Sequence, residues 1–169
     1  MNWPGRGTEA LRSWHGVIAT LCGIGCAGGL AGTAGTLVSC LVLFAAGGIG
    51  VVVLGVTAAV GTIASDRYMK RSSAEDVTSE IVIDRVAGYW MSMLWLDLSY
   101  AIVAFFLFRI IDIVKPFPVS IAVRLPGGAG VMAGGILGGA MANALMRAVS
   151  WLFFSGGFDL IYRFLGIGK

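Results

Sequence analysis

Long apolar blocks separated by short polar segments make up most of this 169-residue chain. From Trp14 to Ser65 there is no Asp, Glu, Lys or Arg. The first part of that block, Gly23 to Thr36, is too rich in glycine for an ordinary helix. Its spacings Gly25/Gly29 and Gly28/Gly32 suit close helix packing, the favoured reading. A Gly-rich turn presenting backbone N–H groups to an anion is the alternative. Leu37 to Ala64 is apolar enough to cross a bilayer, but Gly47-Gly48 interrupts it, so one kinked span or two short helices are expected. Asp66 to Ile83, with Ser72-Ser73 among charges, reads as a water-exposed connection.

Val86 to Val114 is apolar again and is divided by Asp97. Val86–Leu96 would reach about 16 Å as a helix. That falls well short of a hydrocarbon core of roughly 30 Å. A hairpin turning near Asp97 would bring Glu80/Asp84 and Asp112/Lys115 to the same side, whereas a single tilted span would separate them. Lys115-Pro116-Phe117-Pro118 ends the helix, because proline disfavours helical geometry in the preceding residue. Leu125 to Gly130 reads as a Gly/Pro turn and Val131 to Phe154 as the last span, in which Arg147 needs a partner or an aqueous path.

Composition turns this pattern into a class. The chain is 57% hydrophobic and 12% charged, with mean hydropathy +0.88 and 26 glycines. A soluble domain of this length needs more charged surface. The expectation is an all-α, polytopic integral membrane bundle with short or re-entrant helices and Gly-rich packing. It forms one membrane domain: a polar segment 1–13, a Gly-rich block 14–65, a polar active-site loop 66–85, a hairpin or tilted span 86–114, a loop 115–130, a last span 131–155 and a tail 156–169. The start of the chain does not read as a cleaved signal.

The net charge of +3 matters less than where the cations fall: Arg6 and Arg12, then Arg67, Lys70 and Arg71, then Lys115 and Arg124 flank the apolar blocks. These loops are cytoplasmic candidates near anionic headgroups, and nothing resembles a nucleic-acid-binding stripe. Cys22, Cys26 and Cys40 read as apolar filler, since no second Cys pair or His cluster completes a zinc set. His15, beside Trp14, reads as an interfacial residue in preference to a catalytic base.

Two clusters could carry chemistry. Glu80 and Asp84 are four apart and would share one face of a helix, or of a strand, and could hold a hard cation. A solvated face with Asp84 neutralised by Arg85 explains them equally well. Arg109, Asp112 and Lys115 step by three along an apolar helix, and a charge at membrane depth usually marks a path or a site. A carboxylate between two cations suits a metal and a phosphate together, with Arg and Lys on the phosphate oxygens and Asp holding Mg²⁺ or attacking phosphorus. A packing ion pair plus a snorkelling lysine is the bland alternative.

In this order the pieces resemble the phosphatidylglycerophosphatase A family. Phe108-Arg109-x-x-Asp112-x-x-Lys115-Pro116-x-Pro118 matches the family's F-R-x-x-D-x-x-K-P-x-P in full. Gly32-Thr33-x-Gly35-Thr36-Leu37 is similar to P-G-T-x-G-S-L, Glu80 to Asp84 to E-I-V-I-D, and Gly128 to Met132 to G-x-G-I-M. The resemblance implies a bacterial inner-membrane, multi-pass, Mg²⁺-dependent enzyme that dephosphorylates phosphatidylglycerophosphate, with its site facing the cytoplasm. Asp112, Asp84 and Glu80 would be catalytic and metal-binding, Arg109, Lys115 and Arg85 would bind phosphate, and Gly32, Thr33, Gly35 and Thr36 would form a nearby loop. Its partners would be the phospholipid substrate and membrane lipids, with homo-oligomerisation left open. Departures accompany the matches: Arg85 stands where the family has a second acid, Gly134 and Gly135 where it has paired aspartates, and Thr78 where it has proline. The missing acids suggest a second function, a catalytically impaired relative that binds anionic lipid or scaffolds membrane proteins. A small transporter ranks last, because the halves show no inverted repeat.

Overall fold

A computed structural model describes residues 11–71 and 77–154; the N-terminal segment before residue 11, Ser72 to Asp76 and the tail after residue 154 lie outside it. Every regular element among the described residues is helical. In chain order these are α1 (Trp14–Ala19), a 3-10 segment (Ile24–Leu30), α2 (Ala31–Ala46), α3 (Val51–Arg71), α4 (Val77–Glu80) and α5 (Ile83–Met93). A second 3-10 turn (Leu98–Tyr100) then leads to α6 (Ala101–Val114), α7 (Val119–Ala122) and α8 (Gly127–Phe154).

The Gly47-Gly48 interruption gives two helices. Gly47 closes α2 in the left-handed conformation at φ 68° and Gly48 follows at φ 135°, both open to glycine at little cost. The polar connection begins later than expected, since α3 runs through Asp66 to Arg71 and the Lys70 ammonium pairs with Asp66 one turn back at 2.7 Å. The last helix starts earlier, at Gly127. Its first turn packs so closely on α3 that a Cβ at Gly128 would lie 2.6 Å from the Asp66 nitrogen.

The Val86 to Val114 stretch is a hairpin. Helix α5 is central and almost wholly buried, tied to α2 by Ser39, which donates to the Val86 carbonyl at 3.3 Å and accepts from Trp90 Nε1 at 3.2 Å. The Tyr89 hydroxyl donates to the Ala101 carbonyl at 3.0 Å, joining α5 to the start of α6. Because α5 has only 11 residues, it stops within the bundle, leaving terminal carbonyls without helical partners. Helix α8 supplies donors: Asn143 Nδ2 to Ser92 and Leu94, each at 2.9 Å, and Arg147 Nη2 to Leu94 and Trp95, each at 3.1 Å. That is the partner Arg147 required. Glycines let α5 and α8 touch by backbone, since a Cβ at Gly139 would collide with the Gly88 carbonyl and one at Gly88 would lie 2.5 Å from that of Gly135.

The bundle therefore has two ends. The starts of α2, α5 and α8 meet the ends of α3 and α6 at one; the α2–α3 turn and the 94–100 link meet at the other, where Leu43, Gly47 and Gly48 face Trp95 to Leu98. Its outward faces are apolar, as in Val52 (78% exposed), Ile102 (67%) and Phe106 (62%), the inverse of a water-soluble surface. Two helices are long and apolar enough to cross a membrane, Val51–Arg71 and Gly127–Leu152.

Candidate active site

The hairpin brings the two acidic segments to the same end. Asp84, in the first turn of α5, and Asp112, in the last turn of α6, line one cavity of about 360 Å³ together with Arg85 and Lys115. Arg85 stands between the carboxylates, with Nη1 3.2 Å from Asp84 Oδ1 and Nε 3.4 Å from Asp112 Oδ2. Its Nη1 also donates to the Ile81 carbonyl. Arg109 holds the same Asp112 oxygen, with Nη1 2.8 Å from Oδ2. Lys115 takes the left-handed conformation at φ 47° that ends α6 before Pro116.

Asp84 is 6% exposed, and that burial pushes its carboxyl up to about 6; the Arg85 cation opposes the shift and the Asp112 charge adds to it. Helix α5 is too short to cross a bilayer, so Asp84 lies outside any spanning segment. Asp84 and Asp112 present the hard oxygen donors that a divalent cation takes, and Arg85 occupies both of them.

Gly32 to Thr36, in the first turns of α2, pack behind this group and are not among the residues lining the cavity. A Cβ at Gly32 would lie 2.9 Å from Arg85 Nε and 3.1 Å from Arg109 Nη1, so only glycine leaves both guanidinium groups their places. Thr33 Oγ1 accepts from Arg109 Nη2 at 3.2 Å. Gly35 faces Val82, and Thr36 is buried, its hydroxyl donating to the Gly32 carbonyl at 2.9 Å. Arg109 likewise acts on Asp112 and Thr33 and is not part of the cavity wall.

Glu80 is a correction to the expected carboxylate pair on one helix. Ile81 and Val82, fully buried, break the helix between α4 and α5, and the Val82 N–H donates to the Ala19 carbonyl at 2.8 Å. Spacing by four thus loses its helical meaning. Glu80 turns toward α3, where its Oε2 accepts from the Tyr68 hydroxyl at 2.7 Å. Among the described residues no three His, Cys, Asp or Glu side chains are gathered closely enough to share a metal. His15 is buried against Trp14, whose ring also lies 5.2 Å below the Arg67 guanidinium.

Sequence reasoning missed Thr78 and Ser79, which line the cavity; the replaced proline at 78 was their one signal. Gly134 and Gly135 also line it. A Cβ at Gly134 would lie 2.5 Å from the Val123 side chain, which can turn aside, whereas one at Gly135 would collide with the Asp84 carbonyl. Helix α8 therefore meets α5 by backbone at Gly135, one of the two positions where the resembled family carries acids.

Two of the comparisons with known proteins return a match. The sequence model of the family described as phosphatidylglycerophosphatase A matches residues 17–150. A Bacteroides thetaiotaomicron protein provisionally named as a phosphatidylinositol-3-phosphatase is 37% identical over 79 residues, 44% of this chain and 50% of that protein. The chain thus spans half the length of that relative. No solved structure matches. The match over most of the chain, together with the cavity where its intact motif converges, shows that the chain belongs to the phosphatidylglycerophosphatase A family.

Proposed function

We propose that the protein is a Mg²⁺-dependent lipid phosphomonoesterase that converts phosphatidylglycerophosphate to phosphatidylglycerol and inorganic phosphate. One observation carries the reading: two carboxylates and two cations line one cavity, with a third cation paired to the second carboxylate. In hydrolysis the phosphorus–oxygen ester bond breaks, water oxygen joins phosphorus, and a proton ends on the glycerol oxygen. Lys115 and Arg85 are placed to meet phosphate oxygens, and charge held there stabilises the transition state more than the ground state. Arg109 works through Asp112 as a positioning residue. Glu80, held by Tyr68, fixes the link that carries Asp84.

Asp84 and Asp112 suit one Mg²⁺, which needs only one or two carboxylates when waters and phosphate oxygens complete its shell. When bound it would add positive charge at the phosphoryl group. The missing acids and the closed contact at Gly135 leave no comparable donors for a second ion.

The surroundings favour a multi-pass protein of the bacterial inner membrane with the cavity on the cytoplasmic side. Arg67, Lys70, Arg71, Lys115 and Arg124 belong to the cavity end, while Arg147 is the one described cation toward the other. That asymmetry follows the positive-inside rule.

The test is phosphate release by purified protein in detergent, with and without Mg²⁺, from phosphatidylglycerophosphate and from phosphatidylinositol 3-phosphate, the class in the relative's name. Release should require Mg²⁺ and should fall by roughly two orders of magnitude or more in Asp112→Asn and Asp84→Asn. Full activity in both variants would remove these assignments. A second reading, a relative that holds an anionic headgroup without turnover, draws on Gly134, Gly135 and the Arg85 bridge; turnover by the native chain rejects it.

A further inference from the structure

Arg85 is bound to the same two carboxylates that would receive a divalent cation. Its Nε is buried without a hydrogen-bond acceptor, held 3.4 Å from Asp112 Oδ2 by charge alone. The local inventory is three cations (Arg85, Arg109, Lys115) against two carboxylates (Asp84, Asp112), a formal excess of one positive charge. The two arginines and two carboxylates already balance in the buried part of the site, and the exposed Lys115 adds the excess, which disfavours a divalent cation and attracts an anion. A phosphate dianion reverses the sign and offers the guanidinium a better partner than two single-donor carboxylate contacts at 3.2 and 3.4 Å, since arginine pairs with phosphate through two parallel donors.

We propose that Arg85 is an internal gate that couples the two ligands of this site: phosphate draws its guanidinium off Asp84 and Asp112, and only then are both carboxylates free for a divalent cation. The inference rests on the phosphomonoesterase reading and adds an order of binding to it. Free protein is guarded against idle metal by its own arginine, and a metal-loaded site without phosphate is the disfavoured state. Coupling is reciprocal, so the cation also tightens the anion. Gly32 is part of the device, because any side chain there would press on Arg85 Nε and push it from its resting place between the carboxylates.

The experiment is isothermal titration of Mg²⁺ into full-length protein in detergent, with and without saturating inorganic phosphate, corrected for Mg²⁺ binding to phosphate in the buffer. In the native chain phosphate should raise Mg²⁺ affinity by about ten-fold or more, within the usual range of coupling between sites. Arg85→Gln keeps an amide donor for the Ile81 carbonyl and removes the charge. It should bind Mg²⁺ without phosphate about ten-fold more tightly than the native chain, with coupling reduced to a few-fold. Arg85→Lys, charged but unable to bridge two carboxylates, should fall between, and melting temperatures show that each variant is folded. Equal Mg²⁺ affinity with and without phosphate, no Mg²⁺ binding at all, or an unchanged phosphate-free affinity in Arg85→Gln overturns the gate. Failure of phosphate to bind under any condition overturns the gate and the phosphomonoesterase reading together, which separates the two failures.

Discussion

At the level of single residues, Asp84 shows how the site trades stability for readiness. Its carboxyl titrates at about 6 in the fold against 3.8 for the free group. Folding therefore favours the protonated form, and its stabilisation is complete below pH 4 and lost as the pH rises through 6. The difference amounts to about 3 kcal/mol for metal-free protein at neutral pH. Asp84→Asn should remove this dependence. In thermal melts without metal, the native chain should lose stability relative to the variant between pH 4.5 and 7.5, and Mg²⁺ with phosphate should restore it at the upper end. Parallel melting curves across that range would contradict the burial argument. The convergence of Asp112 and Lys115 on one cavity, with Arg109 paired to Asp112, was legible in the sequence because charges three apart share one side of a helix. Glu80 and Asp84 do not share a face because spacing by four places them together only within one regular element, and two buried β-branched residues, Ile81 and Val82, interrupt it.

Helix α5 is the element on which the arrangement turns, and it is too short for a membrane crossing. A helix that stops inside a bundle leaves its terminal carbonyls without helical partners, and side chains of a neighbouring helix can satisfy them. Asn143 and Arg147 provide four hydrogen bonds to Ser92, Leu94 and Trp95. Asn143→Ala and Arg147→Ala should each cost roughly 1–3 kcal/mol by orphaning these carbonyls. Hydrogen exchange should rise at residues 92–96 and stay unchanged around Ser39. Uniform loss of protection would point to global destabilisation and away from a cap. The sequence exposed the length problem of this segment and the isolation of Arg147, but not their common solution. Asn143 sits fifty residues from the carbonyls it serves, and nothing local marks it.

For the whole molecule the arrangement predicts sidedness. With Cys22, Cys26 and Cys40 replaced by serine, Lys70→Cys and Arg124→Cys should react with an impermeant maleimide only from the cytoplasmic face, and Gly50→Cys and Ser99→Cys only from the opposite face. Ser99 and Arg124 reacting from one side would break the two-ended bundle. The broad architecture could be read from hydropathy, because the apolar blocks are long and their interruptions are glycine pairs or lone charges. Which blocks pair was not readable, because glycine contacts leave no periodic trace beyond small residues. The seam of Gly88, Gly135 and Gly139 carries a consequence for redesign. An acid placed at 135 meets the main chain of Asp84, so a single substitution cannot add a carboxylate there without moving a helix. The helices would have to separate first, so any engineered second metal site needs permissive changes in their spacing before its aspartate, an order set by backbone and not by chemistry.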